Sequence, residues 1–143
     1  MSERAPQFVV AVVGGATAGA EAAGMLAARG ITAVVFEQNP RPFGKIEDGL
    51  PRWHVKLRKK EYETINARLE RSGVHFVPNT KIGRDVGFDE LTTQWGFSAV
   101  VLAHGAWRDR PLPVEGAADI GLGYFLLAGN EVAKLGLDLD CRP

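Results

Sequence analysis

Gly14, Gly15 and Gly19, within Val12-Val13-Gly14-Gly15-Ala16-Thr17-Ala18-Gly19-Ala20-Glu21, have the types and spacing that bring backbone close to a phosphate. A pyrophosphate needs approachable N–H donors and the positive end of a helix dipole. In the G-x-G-x-x-G fingerprint the first glycine makes the turn, the second admits the phosphate, and the third lets the helix pack on the strand. Gly14 and Gly19 hold the first and third places. Ala16 stands in the second, where its methyl group narrows the approach without removing an N–H. The outer spacing also fits a triphosphate-binding P-loop, but that loop needs Lys and Ser or Thr directly after Gly19. Ala20 and Glu21 stand there, so the P-loop is excluded. A tight strand-to-helix turn that binds nothing remains the plain alternative.

Glu37 is the second residue with matching chemistry. It lies eighteen positions beyond Gly19, at the tip of an apolar run, where an acid accepts hydrogen bonds from a ribose diol. The plain alternative for it is a surface glutamate.

The elements that must position these groups are legible nearby. Phe8–Val13 is a continuous β-branched run ended by glycine, as expected of a strand buried on both faces. Thr17–Arg29 reads as an alanine-rich helix stopped at Gly30, and Thr32–Glu37 as a second buried strand. Strand, helix and strand within about 30 residues form one right-handed βαβ unit. Asn39–Pro51, with three prolines and two glycines, reads as an ordered loop rather than an element. A helix is expected over about Lys59–Ser72, with Tyr62, Ile65 and Leu69 on one stripe and Gly73 ending it. Val74–Val77 reads as a third strand that Thr80–Gly83 continues. The run from Phe88 to Gly96 reads as a short helix, and Ser98–Ala103 as another buried strand. Alternating strands and helices imply a three-layer α/β domain around a mostly parallel sheet. After Pro113 the pattern loses its period, and the last residues read as a terminus.

Bulk properties narrow the class. The 143 residues fit one domain, 1–143, large enough for a real core. Lys+Arg and Asp+Glu are both 17, so no net field recruits nucleic acid or an anionic membrane. No apolar stretch reaches membrane-spanning length, and the polar start, Met1-Ser2-Glu3-Arg4, does not read as a signal peptide. The single cysteine, Cys141, excludes an internal disulfide and a redox pair, and fits a reducing, cytoplasmic setting. Three histidines without ligand spacing give no metal site. His75 reads as a packing or surface residue.

Val12 to Trp53, read as one piece, resembles the FAD-dependent pyridine-nucleotide oxidoreductases, in particular adrenodoxin reductase-like ferredoxin–NADP reductases and the glutamate synthase small subunit. In that family the ribose acid is followed by a Pro-x-x-Gly-Gly loop and a Gly-apolar-Pro segment. Here these are Pro42-Phe43-Gly44-Lys45 and Gly49-Leu50-Pro51. Asn79 to Leu91 is similar to the family's strand near the adenine, and Ala99 to Gly116 to its strand ending in Ala-Thr-Gly-Ala. The resemblance covers Phe8 to Gly116, with four motifs in order. Three positions depart from it: Ala16 replaces glycine, Lys45 replaces the second loop glycine, and His104 replaces threonine.

The resemblance implies a Rossmann-like FAD/NAD(P)-binding domain and a hydride relay between nicotinamide and a redox partner through flavin. It implies that Gly14, Gly15, Ala16, Thr17, Ala18 and Gly19 cradle the pyrophosphate, that Glu37 binds the adenosine ribose with Gln38 next to it in the cofactor site, and that Ile82 covers the adenine. Gly44, Lys45, Ile46, Lys56 and Leu57 would approach the flavin, with Ala103, His104 and Gly105 at the neighbouring strand tip. No catalytic residue is assigned. Family members continue into an inserted NADP-binding domain, so NAD(P)H would bind to a region not present in this chain, supplied by a further domain or a partner protein; residues 117–143 lie beyond the stretch that carries the resemblance. Two readings of another kind stay open. One is a non-catalytic nucleotide-binding or interaction module, the other an NAD(P)-binding domain without flavin. The basic run Arg52 to Lys60 reads either as flavin-side chemistry or as a solvated loop entering a helix, and it is too short to suggest nucleic-acid binding.

Overall fold

The computed structural model describes residues 8–51 and 53–106. In chain order it contains β1 (Val9–Val13), α1 (Thr17–Ala27), β2 (Thr32–Phe36), α2 (Lys45–Asp48), α3 (Val55–Leu69), β3 (Val74–Val77), a π-helical turn (Glu90–Gln94) and β4 (Ala99–Leu102). The four strands form one sheet in the order β3-β2-β1-β4, every pair parallel. The chain reverses its direction of winding at β1, which pairs with β2 on one side and β4 on the other. Ligands of open α/β sheets bind at the carboxyl ends of the strands flanking such a switch point.

Side chains alternate across the pleat and build a core on each face. Val12, Ala33 and Val35 face α1 and α3, where Ala20, Ala23, Ile65 and Leu69 complete one cluster. Ala11 and Phe36 face the other way, against Val86 and Leu91 from the segment that precedes β4. Small residues let α1 sit close to the sheet, and Ala20 and Ala23 are fully buried. Arg68 ion-pairs with Glu21 across the two helices, and Arg71 Nη1 donates to Gly24 O at 3.0 Å. Of the expected stripe on α3, Ile65 and Leu69 are buried, while half-buried Tyr62 stacks on Phe43 at 3.9 Å between ring centres.

Four expectations need correction. Residues 45–48 form one helical turn inside the expected loop, closed by Gly49 N–H donating to Lys45 O at 2.8 Å. Helix α3 starts at Val55 instead of Lys59, because Arg58 N–H bonds His54 O and the Arg58 guanidinium reaches back to Leu50 O. Helix-forming Lys, Leu and Arg side chains there outweigh their unfavourable position at the positive end of the dipole. Strand β3 does not continue through Thr80–Gly83. Pro78 lacks an N–H, Asn79 turns the backbone at φ 55°, and residues 82–86 close a tight turn through a bridge between Ile82 and Val86. Lastly, β4 is an edge strand among the described residues and is only partly covered, with Leu102 58% exposed. The reading of residues 117–143 as a tail, and Cys141, lie outside the described residues.

Candidate functional site

The carboxyl ends of β1, β2 and β4 open into a cleft of about 880 Å³, within the range of small-molecule and cofactor sites. Its floor is the β1–α1 turn. Gly14 N–H donates to Phe36 O at 2.8 Å, and Ala103 N–H to Val13 O at 2.8 Å, so the three strand ends are tied together. Two glycines make the turn sterically possible. Gly14 has φ 101°, and a β-carbon on it would lie 2.6 Å from Ala103 O. A β-carbon on Gly19 would fall 1.7 Å from Gly14 O, so α1 reaches its place on the sheet only with glycine there.

Ala16 precedes α1 in extended backbone, φ −73° and ψ −163°, which any residue adopts. The position therefore does not require glycine, and its methyl group packs toward Gly44. The first helical hydrogen bond runs from Ala20 N–H to Ala16 O, at 2.8 Å. No side chain caps the helix, so the amides from Ala16 to Gly19 are left for an acceptor from outside. Ala16, Thr17 and Ala18 line the cleft. Uncapped amides and an unopposed dipole are the donor set that anionic oxygens require.

Glu37 is buried at 5% exposure. Its Oε2 accepts from Gly15 N–H at 2.9 Å, and its Oε1 from Asn39 N–H at 2.9 Å and Asn39 Nδ2 at 3.1 Å. A carboxylate has about four acceptor directions, so three are taken and one is left on a residue that lines the cleft. The glutamate is therefore first a strut of the glycine turn, with capacity for one further hydroxyl rather than a two-handed grip on a diol.

The outer wall comes from residues 80–88. Thr80 N–H donates to Glu37 O at 2.8 Å, joining this wall to the end of β2. Asp85 braces the turn that carries Ile82: Oδ2 accepts from Lys81 N–H at 2.8 Å, and both oxygens accept from the Arg84 guanidinium. The Arg84 hydrogen bonds, with the Lys81 amide second, lower the Asp85 pKa from 3.8 to about 2. A depressed carboxyl pKa gives support that is complete above about pH 4 and lost as pH falls through about 2. The Lys81 amide proton shift, followed by NMR, should accordingly titrate with a midpoint near 2 and stay flat in Asp85→Asn; a midpoint near 3.8 would mean that the brace is open in solution.

Of the residues singled out by sequence, Gly14, Ala16, Thr17, Ala18, Glu37, Gln38, Gly44, Lys45, Ile46, Ile82, Ala103, His104 and Gly105 line this one cleft. Gly15 and Gly19 are buried behind it and shape the turn. Lys56 and Leu57 do not line it; they are exposed on the first turn of α3. Sequence reasoning missed Asn39, Thr80, Lys81 and Phe88, which also line the cleft. Asn39, two residues beyond the acid, carried a local signal, since asparagine commonly bonds backbone and side chains that close. No group of His, Cys, Asp and Glu among the described residues is arranged to hold a metal ion, and no described helix is long and apolar enough to cross a membrane.

A parallel sheet in this order, with a glycine turn leading into an uncapped helix and an acid at the end of β2, defines a Rossmann-like α/β nucleotide-binding fold. The chain is similar, over part of their length, to glutamate synthase small chains and to FprA-like ferredoxin–NADP reductases. It is 39% identical over 117 residues to the glutamate synthase [NADPH] small chain of Bacillus subtilis, covering 82% of this chain and 23% of that protein. It is 36% identical over 135 residues to the glutamate synthase [NADH] of Saccharomyces cerevisiae, covering 93% of this chain and 6% of that protein. Among solved structures it superposes on Mycobacterium tuberculosis FprA in complex with NADPH with a TM-score of 0.68 and 25% identity, over 78% of this chain and 25% of FprA. The chain thus spans at most about a quarter of the length of these relatives. No protein-family model matches it.

Proposed function

We propose that the chain binds FAD in an extended pose, its adenosine diphosphate half in the cleft, as the FAD-binding part of an NAD(P)H-linked flavoprotein oxidoreductase. The observation that carries this reading is the convergence of uncapped α1 amides, buried Glu37 and the Ile82 wall at one sheet edge. The donor set suits the group: amides for pyrophosphate oxygens, one carboxylate acceptor for a ribose hydroxyl, and apolar surface for a base. NADPH or NADH in the names of the matched glutamate synthases supports the link to nicotinamide.

In this reading the amides of Ala16 to Gly19 hold the pyrophosphate, Glu37 takes one ribose hydroxyl, and Ile82 covers the adenine. Gly44, Lys45 and Ile46 lie toward the flavin. When bound, flavin supplies hydride and electron transfer between a nicotinamide and a redox partner, while these residues bind and orient it.

Titration of the purified chain with FAD, NADH and NADPH tests the reading. Quenching of flavin fluorescence on adding protein, with no nicotinamide binding, is the expected result. Binding of nicotinamide alone would replace it with an NAD(P) domain without flavin, and binding of none of the three would leave an interaction scaffold.

A further inference from the structure

Phe88 is an aromatic side chain that lines the cleft and is 45% exposed. It belongs to neither hydrophobic cluster. Trp95, comparably exposed, packs its ring against Phe36 and Phe97, whereas Phe88 has no ring partner among the described residues. Large apolar side chains left uncovered inside a cleft mark surface that a ligand covers.

The backbone holding Phe88 is built to stay in place. Ile82 and Val86 form a bridge, Gly83 N–H donates to Val86 O at 2.7 Å, and Val86 is anchored in the core. On the other side of Phe88, the Glu90 carboxylate accepts from Gly87 N–H. One short braced segment therefore presents Ile82 and Phe88 to the same cavity. A flat aromatic face beside an aliphatic one suits a planar heteroaromatic ring, because stacking uses the ring's face and needs no particular hydrogen-bond pattern.

We propose that Phe88 is a base-stacking residue, forming with Ile82 the apolar seat for the adenine of the bound dinucleotide. The inference rests on the FAD reading and adds to it a specific residue and the part of the ligand that residue recognises. Because Phe88 lies outside both cores, its loss should not unfold the protein.

The experiment compares FAD, ADP and inorganic pyrophosphate on the wild-type chain, Phe88→Ala and Phe88→Leu, with thermal unfolding of each. Phe88→Ala should weaken FAD and ADP binding about tenfold, the usual scale of base–aromatic stacking, and leave pyrophosphate binding unchanged. Phe88→Leu, which keeps apolar bulk and removes the aromatic face, should show a smaller loss confined to the adenine ligands. Unchanged ADP affinity in Phe88→Ala would overturn the stacking role alone, and so would equal losses for ADP and pyrophosphate. Failure of the wild-type chain to bind FAD or ADP would overturn the FAD reading, and this role with it.

Discussion

Replacing Gly19 by alanine should abolish FAD binding and lower the stability of the unliganded chain by at least about 3 kcal/mol. The new β-carbon would lie 1.7 Å from the carbonyl oxygen of Gly14 and 3.4 Å from Val12 Cγ1. The first of these is backbone in the tied strand ends and cannot rotate away. Relief requires α1 to lift from β1, which uncovers the fully buried Ala20 and Ala23 and displaces the amides of Ala16 to Gly19. Ala16→Gly is the control. That position has ordinary extended backbone, and glycine is a good residue at the start of a helix, so stability should change by less than about 1 kcal/mol. FAD affinity should be kept or improved. Urea unfolding followed by circular dichroism, with FAD titration of each variant, measures both effects. A Gly19→Ala chain as stable as the wild type would mean that α1 does not pack on the sheet in this register.

Glu37→Ala should destabilise the chain by about 2–4 kcal/mol before any ligand is added, because it leaves buried donors without acceptors. The Gly15 amide is inside the turn, and the Asn39 amide and side chain lose their shared oxygen. FAD affinity should fall by a further ~1.5–3 kcal/mol for one charge-assisted hydrogen bond to ribose. Glu37→Gln keeps one oxygen acceptor and presents an NH₂ to the donors on the other side, so its stability loss should be intermediate. Unfolding without FAD isolates the first effect, and calorimetric titration under conditions where every variant is folded isolates the second. If Glu37→Ala unfolds like the wild type but loses FAD, the carboxylate serves the ligand and not the turn. If stability falls while affinity holds, the ribose role is wrong.

How much of this was readable in the sequence depends on how local the cause is. Strands β1 and β2 are continuous apolar runs because both faces of each are covered, whereas α1 ends at Ala27, three residues before Gly30, whose N–H bonds Ala27 O. Strand β4 carries the same apolar signal yet lies at an edge among the described residues, since composition records burial capacity and not sheet order. The start of α3 falls four residues before the expected Lys59 because the apolar stripe begins only at Tyr62, whereas the first turn is held by the contact of Arg58 with Leu50, eight residues away. Glu37 was identified as a site residue from its place after β2, but its bond to Gly15, 22 residues away, is a tertiary fact. The same holds for Phe88, whose entry into the cleft depends on the turn braced by Asp85. Lys56 and Leu57 are tied to the flavin by resemblance alone, and they lie exposed on the first turn of α3, outside the lining of the cleft.

The central claim is that the amides at the start of α1 receive a pyrophosphate whose adenosine lies toward Glu37 and Ile82. An amide-resolved NMR titration of the isotope-labelled chain with ADP tests it most directly. The account predicts saturable shifts concentrated at Ala16 to Gly19 and at Thr80 to Gly83, with the Lys56 and Leu57 amides unmoved. Shifts absent from the α1 amides, or strongest on the exposed first turn of α3, would contradict it.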